Sequence, residues 1–338
     1  MKKLTALSLF VLVVFASCKK DTKTTTTTPA PKIRFVFKFD STQVRLNSAG
    51  QVTAVPAGHA AQCPKFNGMS AHYIEMTQNN ITAIGAGAVL YTTPTTPVSP
   101  ALTVWNSSHT DSATYNDAIT FNQETVVGDG QEFFSKPLSQ INPGTYPYLR
   151  ISVAYQNYDI KYAILQGTYV SPTYSVPNNY YSTGTIASFI GYNTYINSYT
   201  IKTQTDVVNG PKQQGYWSFE TAPYVIPGVG TYTTPYTKGQ APQGATTVVS
   251  PSAFATTAVP PGSCLVTGQF VNQTGNAQPL VITGHETSDI VITVSMSTNN
   301  SFEWIHNSSN PNDGYIYPLN GDQVVDMGVR GMIPKLPQ

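Results

Sequence analysis

The sequence predicts an all-β protein whose body is a β-sandwich, immunoglobulin-like or related, with long loops rich in Tyr, Thr, Pro and Gly. Stretches with the alternating or uniformly apolar pattern of strands recur along the chain, most clearly at 33–39, 148–155, 289–296 and 323–329. No stretch shows the apolar period of a long helix. The 25 Gly and 25 Pro of the 338-residue chain are spread along it and interrupt helices of ordinary length.

The chain begins with the pattern of a bacterial export signal. Lys2 and Lys3 supply positive charge, and an almost continuous apolar run follows from Leu4 to Phe15. This run is shorter than the roughly 20 apolar residues that a membrane-spanning helix needs. Residues 1–17 are therefore interpreted as a signal peptide.

The end of this run, Phe15-Ala16-Ser17-Cys18, resembles the lipobox of bacterial lipoproteins. The resemblance implies that Cys18 is lipidated on its thiol and becomes the N-terminus of the mature chain. An ordinary signal peptide with an incidental cysteine is the alternative. Three acyl chains bind a membrane more firmly than one, so we expect a protein that is lipid-anchored to the outer membrane and faces the periplasm or the cell surface.

Residues 18–32 are predicted to form the lipid anchor and a Thr- and Pro-rich tether. The stretch 21–32 contains no large apolar side chain, so burial cannot offset the entropy of ordering it. The short charged stretch after Cys18 resembles surface-export signals in lipoproteins of the Bacteroidetes. The body, residues 33–338, has about 300 residues, enough for one large domain or two ordinary ones.

The charge of the chain argues against nucleic acid as a partner. Without Lys2 and Lys3 the 18 basic residues fall to 16, against 17 acidic ones, which leaves a net charge of −1. No stretch of the body clusters Lys or Arg into the basic face that binds phosphates. The predicted partners are the membrane, through the lipid, and a glycan or a cell-surface protein.

Two cysteines remain after Cys18 is assigned to lipid. In an oxidising envelope compartment, Cys63 and Cys264 are most simply a disulfide that joins the N-terminal and C-terminal parts of the body. Two buried thiols are the alternative.

The middle segment, 146–236, is interpreted as a contact area that forms an insertion or a second subdomain of the body. It holds 16 of the 21 tyrosines, and tyrosine is favoured at recognition surfaces because it supplies contact area at low entropy cost. Tyr180 and Tyr181 stand between polar, loop-like residues, so both rings are expected to face solvent and bind a ligand. The alternative is that the tyrosines are packing residues.

No arrangement typical of an enzyme is found, so the protein is not predicted to be one. The stretch from Gly284 to Asp289 has His285 and Glu286 in the order of a zinc-protease motif but ends on Asp, and it reads as a loop before a strand. His72 and Glu75 have a spacing that suits a metal site on a helix, but their surroundings predict a strand, where residues three apart face opposite sides.

Several stretches resemble the MbnP-like lipoproteins of Bacteroidetes, β-sandwich relatives of a copper-associated periplasmic protein. They are 65–74, the turn and strand of 141–153, and the tryptophan motif of 215–219. The resemblance implies Trp217 as a functional position, although Phe219 stands where the family has a second Trp. It also implies copper as a cofactor, and His72 or His285 of this sequence are the candidate ligands for that metal.

Two functions follow as expectations. The first is a cell-envelope lipoprotein with a binding or structural role and no cofactor. The alternative is a metal-binding, redox-associated protein of the MbnP type.

Overall fold

The structure is a computed structural model that describes thirteen stretches of the chain. They are residues 29–47, 51–93, 95–105, 112–165, 170–171, 174–175, 179–189, 196–208, 216–222, 224–226, 230–232, 236–240 and 265–338. The signal peptide, Cys18 and most of the tether lie outside these residues, and so does Cys264.

The regular structure of the described residues consists of strands and three short 3-10 helices, so the prediction of an all-β fold is confirmed. The strands are β1 (Lys32–Asp40), β2 (His59–Gln62), β3 (Lys65–Thr77), β4 (Ala88–Thr92), β5 (Thr95–Trp105), β6 (Ser112–Ile119), β7 (Gln131–Pro137), β8 (Gly144–Tyr146), β9 (Tyr148–Ile164), β10 (Val170–Ser171), β11 (Tyr174–Ser175), β12 (Tyr180–Phe189), β13 (Ser198–Thr200), β14 (Thr205–Val207), β15 (Tyr216–Glu220), β16 (Tyr224–Ile226), β17 (Gly230–Tyr232), β18 (Thr237–Gln240), β19 (Leu265–Gln269), β20 (Leu280–Ile282), β21 (Ile290–Ser297), β22 (Phe302–Ile305), β23 (Gln323–Asp326) and β24 (Met332–Lys335). The 3-10 helices are Phe121–Gln123, Leu138–Gln140 and Pro318–Asn320.

Two sheets form a sandwich. A four-stranded sheet has the order β24-β21-β1-β7, and a seven-stranded sheet has the order β18-β15-β12-β9-β3-β4, with β19 beside β9. Strand β1 lies parallel to β21 and antiparallel to β7. The side chains of β1 alternate between its two faces. Ile33, Phe35 and Phe37 have no exposed surface, while the residues between them are partly exposed.

Strand β9 is the longest strand described and organises the larger sheet. It pairs with β3 on one side, and on the other side with β19 near its start and with β12 farther along. The predicted strand 148–155 is confirmed, but β9 continues to Ile164. Sequence pattern missed this extension because Asn157 and Asp159 are typical of turns, whereas pairing on both sides holds them in the sheet. Strands β12 and β15 of the middle segment belong to this same sheet.

Three apolar cores lie on the two faces of the larger sheet. The main core lies between the sheets and includes Ile33, Phe35, Phe37, Met69, Ile74, Leu149, Ile151, Ile292, Val294 and Met296. A second core, farther along β9, is covered by the sheet β2-β22-β23 and includes Tyr158, Ile160, Tyr162, Ile186, Phe302 and Trp304. Phe66 packs against both cores.

The third core lies on the opposite face, because Ala187 belongs to it while its neighbour Ile186 belongs to the second core. It also includes Tyr155, Phe189, Tyr199 and Tyr216. Most described tyrosines of the middle segment are therefore packing residues, as the alternative held.

Candidate recognition surface

Tyr180 and Tyr181 are the first two residues of β12 rather than part of a loop. Because side chains alternate along a strand, Tyr180 packs against the second core, with its ring centroid 6.2 Å from that of Tyr162. The expectation that both rings face outward is therefore wrong for Tyr180. Tyr181 points to the other face and is 44% exposed.

Tyr181 shares its surface with two residues that sequence reasoning missed. The rings of Tyr181 and Tyr315 meet edge to face, with centroids 5.0 Å apart and an interplanar angle of 79°. The Lys161 ammonium lies 5.9 Å from the centroid of the Tyr315 ring. We name this group of Lys161, Tyr181 and Tyr315 the tyrosine surface.

The backbone holds the tyrosine surface in place. Lys161 lies on β9 opposite Thr183 of β12, so it and Tyr181 share one face of the hairpin. The segment that carries Tyr315 is tied to β9, because Ile316 forms an isolated bridge with Tyr162 and the Ala163 amide donates to the Ile316 carbonyl at 2.8 Å. Preordered rings lose little entropy on binding a ligand.

Next to this surface, the Asp313 carboxylate accepts a hydrogen bond from a buried tyrosine. Tyr317 is fully buried, and its hydroxyl donates to Asp313 Oδ2 at 2.7 Å. Burial raises the pKa of the Tyr317 hydroxyl, with contributions from Asp313 and Tyr181, so this phenol stays neutral. The surface thus combines exposed aromatic area with hydroxyl groups and one cation, which suits stacking and hydrogen bonding rather than bond-breaking chemistry.

Trp217 is a half-buried residue of β15 that packs against the second core. Its ring also covers Gly239 on the neighbouring strand, where an added Cβ would lie 2.5 Å from the indole. This packing gives Trp217 a structural role. The functional role that the resemblance implies stays a prediction.

The two predicted metal ligands lie on different elements. His72 is on β3, as the strand pattern indicated, and its carbonyl accepts the Thr93 amide at 2.8 Å. His285 is in the loop between β20 and β21, where Glu286 Oε1 accepts hydrogen bonds from the amide and the hydroxyl of Thr283. Across the ranges that the structure describes, no three His, Cys, Asp or Glu side chains converge as a metal site would require. The copper role stays a prediction.

Cys63 is exposed and has no disulfide partner among the described residues. Its Sγ accepts a hydrogen bond from the Asn300 amide at 3.2 Å. Its predicted partner, Cys264, lies outside them, so the disulfide stays a prediction.

Three buried charged groups were not anticipated from the sequence. In the first, Glu303 of β22 contacts the guanidinium groups of Arg45 and Arg330 and the Nδ1 atom of His59. Arg330 also pairs with Asp326. Burial raises the pKa of Asp326 to about 7, with Arg330 opposing the rise and Glu303 adding to it.

The second group is the pair of Glu75 and Arg150, which face each other across β3 and β9 with 3.3 Å between Oε2 and Nη1. Neither side chain has any exposed surface. An ion pair this deeply buried costs desolvation energy. Both side chains also hydrogen-bond the loop between β3 and β4, where Arg150 Nη2 donates to the Asn80 carbonyl and Glu75 Oε1 accepts from the Gly87 amide.

The third group is centred on Asp206, which has no exposed surface. Its carboxylate accepts hydrogen bonds from Tyr216, Ser218, Tyr236 and Lys238 at 2.6 to 3.0 Å. Burial acts to raise the pKa of Asp206, but these hydrogen bonds outweigh it and lower the pKa. The cluster explains why part of the tyrosine-rich segment packs inward.

Comparisons of the chain with protein-family models, with curated proteins and with solved structures return no match. Within the described ranges, no helix is long and apolar enough to cross a membrane.

Proposed function

We propose that this protein is a lipid-anchored protein of the bacterial cell envelope that recognises a glycan through the tyrosine surface. The observation that carries the recognition role is the exposed ring of Tyr181, held edge to face against Tyr315 with Lys161 alongside. The leader and Cys18 support the anchor.

The chemistry of the surface favours a sugar polymer. Aromatic rings offer flat apolar area to the C–H faces of sugar rings, and phenol hydroxyls and an ammonium supply hydrogen bonds at their edges. The surface lies at the end of β9 and β12, where a long chain can pass without entering a cavity. An extended ligand that contacts several such groups gains affinity from each of them.

Replacing Tyr181 by Ala tests the recognition role. We expect binding to neutral oligosaccharides, measured with maltohexaose, cellohexaose and chitohexaose, to weaken about tenfold or more, because an aromatic anchor contributes at least about 1.4 kcal/mol. The free energy of unfolding should fall by no more than about 1.5 kcal/mol, because the ring is 44% exposed and the variant loses one edge-to-face contact, with Tyr315.

The matched control is Val207→Ala, which also trims an exposed apolar side chain of a strand, since Val207 is 54% exposed. It should leave both binding and stability unchanged. Wild-type protein that binds none of the three oligosaccharides, or binding that survives in the Tyr181 variant, would contradict the proposed site.

The anchor is tested by replacing Cys18 with Ala. We expect the variant to move from the membrane fraction to the soluble envelope fraction and to lose labelling by a palmitate analogue, because the acyl chains supply the membrane affinity. Cys63→Ala, which changes an exposed cysteine of the body, should remain labelled and in the membrane. A Cys18 variant that stays with the membrane would show that lipid on this residue is not what holds the protein there.

A further inference from the structure

A cleft of about 250 Å³ opens beside the end of β3. Its inner lining includes Met76 and the ring of Tyr146, which are both buried, and its rim includes the exposed residues Gln78 and Asn142 and the partly buried Thr82. The cleft therefore has an apolar interior and a rim of amide and hydroxyl groups.

The wall of the cleft is held by the buried ion pair. Arg150 Nη2 donates to the Asn80 carbonyl at 3.0 Å, and the Gly87 amide donates to Glu75 Oε1 at 2.6 Å. A Cβ at Gly87 would lie 2.5 Å from the Met76 carbonyl oxygen, so only glycine allows this approach. Both ends of the loop between β3 and β4 are thus fixed, and the cleft is formed before any ligand arrives.

The polar groups at the rim are available to a ligand. The side-chain amides of Gln78 and Asn142 lie at the exposed rim, and each can both donate and accept a hydrogen bond. The Tyr146 hydroxyl is already used, because it donates to the Asn142 carbonyl at 2.8 Å. Burial raises the pKa of this phenol.

The described residues that line the cleft include no Lys, Arg, Asp, Glu or His. A charged ligand would lose hydration there without gaining a counter-charge, which is costly. The cleft is also smaller than the roughly 300 to 1,000 Å³ of sites for drug-sized molecules. These features fit a small neutral molecule with an apolar face and several hydroxyl groups.

We propose that this cleft is a second binding site, which takes one neutral sugar unit. It is separate from the tyrosine surface, because Leu149, which pairs with Met76 of the cleft, and Lys161 stand at opposite ends of β9, up to roughly 40 Å apart at the usual rise per strand residue. The proposal does not depend on the tyrosine surface.

Saturation-transfer NMR with glucose and glucuronate tests the cleft in the body of the protein. The two sugars differ by a carboxylate, so we expect saturation transfer to glucose and none to glucuronate. Replacing the exposed Ala86, which lines the cleft, by Phe should block the cleft and abolish the signal. Asn142→Ala should weaken glucose binding about three- to tenfold, as loss of one hydrogen bond predicts.

Val207→Ala, which trims an exposed side chain of β14 that does not line the cleft, is the control and should keep the glucose signal, with the melting temperature of every variant measured beside it. The proposal is overturned by a lack of transfer to glucose, galactose and N-acetylglucosamine at about 10 mM, well above millimolar dissociation constants. Equal transfer to glucuronate or an unchanged signal in Ala86→Phe overturns it as well. Loss of the glucose signal in Tyr181→Ala but not in Ala86→Phe would place the sugar on the tyrosine surface. That result would overturn the cleft site and support the proposed function.

Discussion

Replacing Glu303 by Ala should lower the free energy of unfolding by about 3 to 5 kcal/mol, because it leaves buried cations without their shared counter-charge. Only 5% of the Glu303 side chain is exposed, and the two arginines that it contacts are similarly buried, at 6% for Arg45 and 5% for Arg330. Asp326 would remain as a partner of Arg330 alone. Arg45 would keep only hydrogen bonds to carbonyls, those of Ala54 and Asn300.

Urea unfolding of wild type and variant measures this effect. The matched control is Glu132→Ala, which also removes a glutamate paired with an arginine, but at the surface, since Arg34 and Glu132 are 43% and 31% exposed. Exposed pairs contribute about 0 to 1 kcal/mol. A loss for Glu303→Ala as small as that of the control would contradict the assignment of a buried charge network.

The second large effect is expected at Glu75. Its replacement by Ala should also cost about 3 to 5 kcal/mol, because Arg150 keeps its charge with no exposed surface, and the Gly87 amide loses its acceptor. The double variant Glu75→Met, Arg150→Met should recover most of this stability, because it removes both charges and fills the space with apolar side chains.

Hydrogen exchange separates stability from the positioning of the loop between β3 and β4. In the double variant we expect normal global stability but faster exchange at the Gly87 amide, which Glu75 holds in the wild type. If the double variant is as unstable as Glu75→Ala, uncompensated charge is not the source of the loss. If the Gly87 amide keeps its slow exchange, the ion pair does not hold the wall of the cleft.

The sequence predicted the strands whose side chains alternate regularly. Stretches 33–39 and 289–296 appear as β1 and β21, since one face of each contacts the main core. The parallel pairing of these two strands could not be predicted, because no local pattern records a partner so distant along the chain. The continuation of β9 beyond residue 155 could not be predicted either, because pairing with strands on both sides overrides the turn preference of Asn157 and Asp159.

Tyr181 was predicted as a contact residue, but the residues that pack beside it were not predicted. Its neighbour Lys161 comes from β9, and its neighbour Tyr315 comes from a segment far along the chain. Asn312-Asp313-Gly314 is a turn signal that places Tyr315 beside a turn, but no local pattern shows that its ring meets Tyr181. Tyr181 rather than Tyr180 faces solvent because of the register in which β12 pairs with β9, and the sequence around the two tyrosines does not record that register.

The most direct measurement of the recognition role is an NMR titration of protein carrying ring-labelled tyrosine. We expect at least one of maltohexaose, cellohexaose and chitohexaose to shift the ring signals of Tyr181 and Tyr315. These two signals should move together and before any others. The signals of the fully buried rings of Tyr158 and Tyr199 should stay in place. Titrations in which the Tyr181 and Tyr315 signals remain unmoved by all three oligosaccharides would contradict a glycan-binding role for this surface.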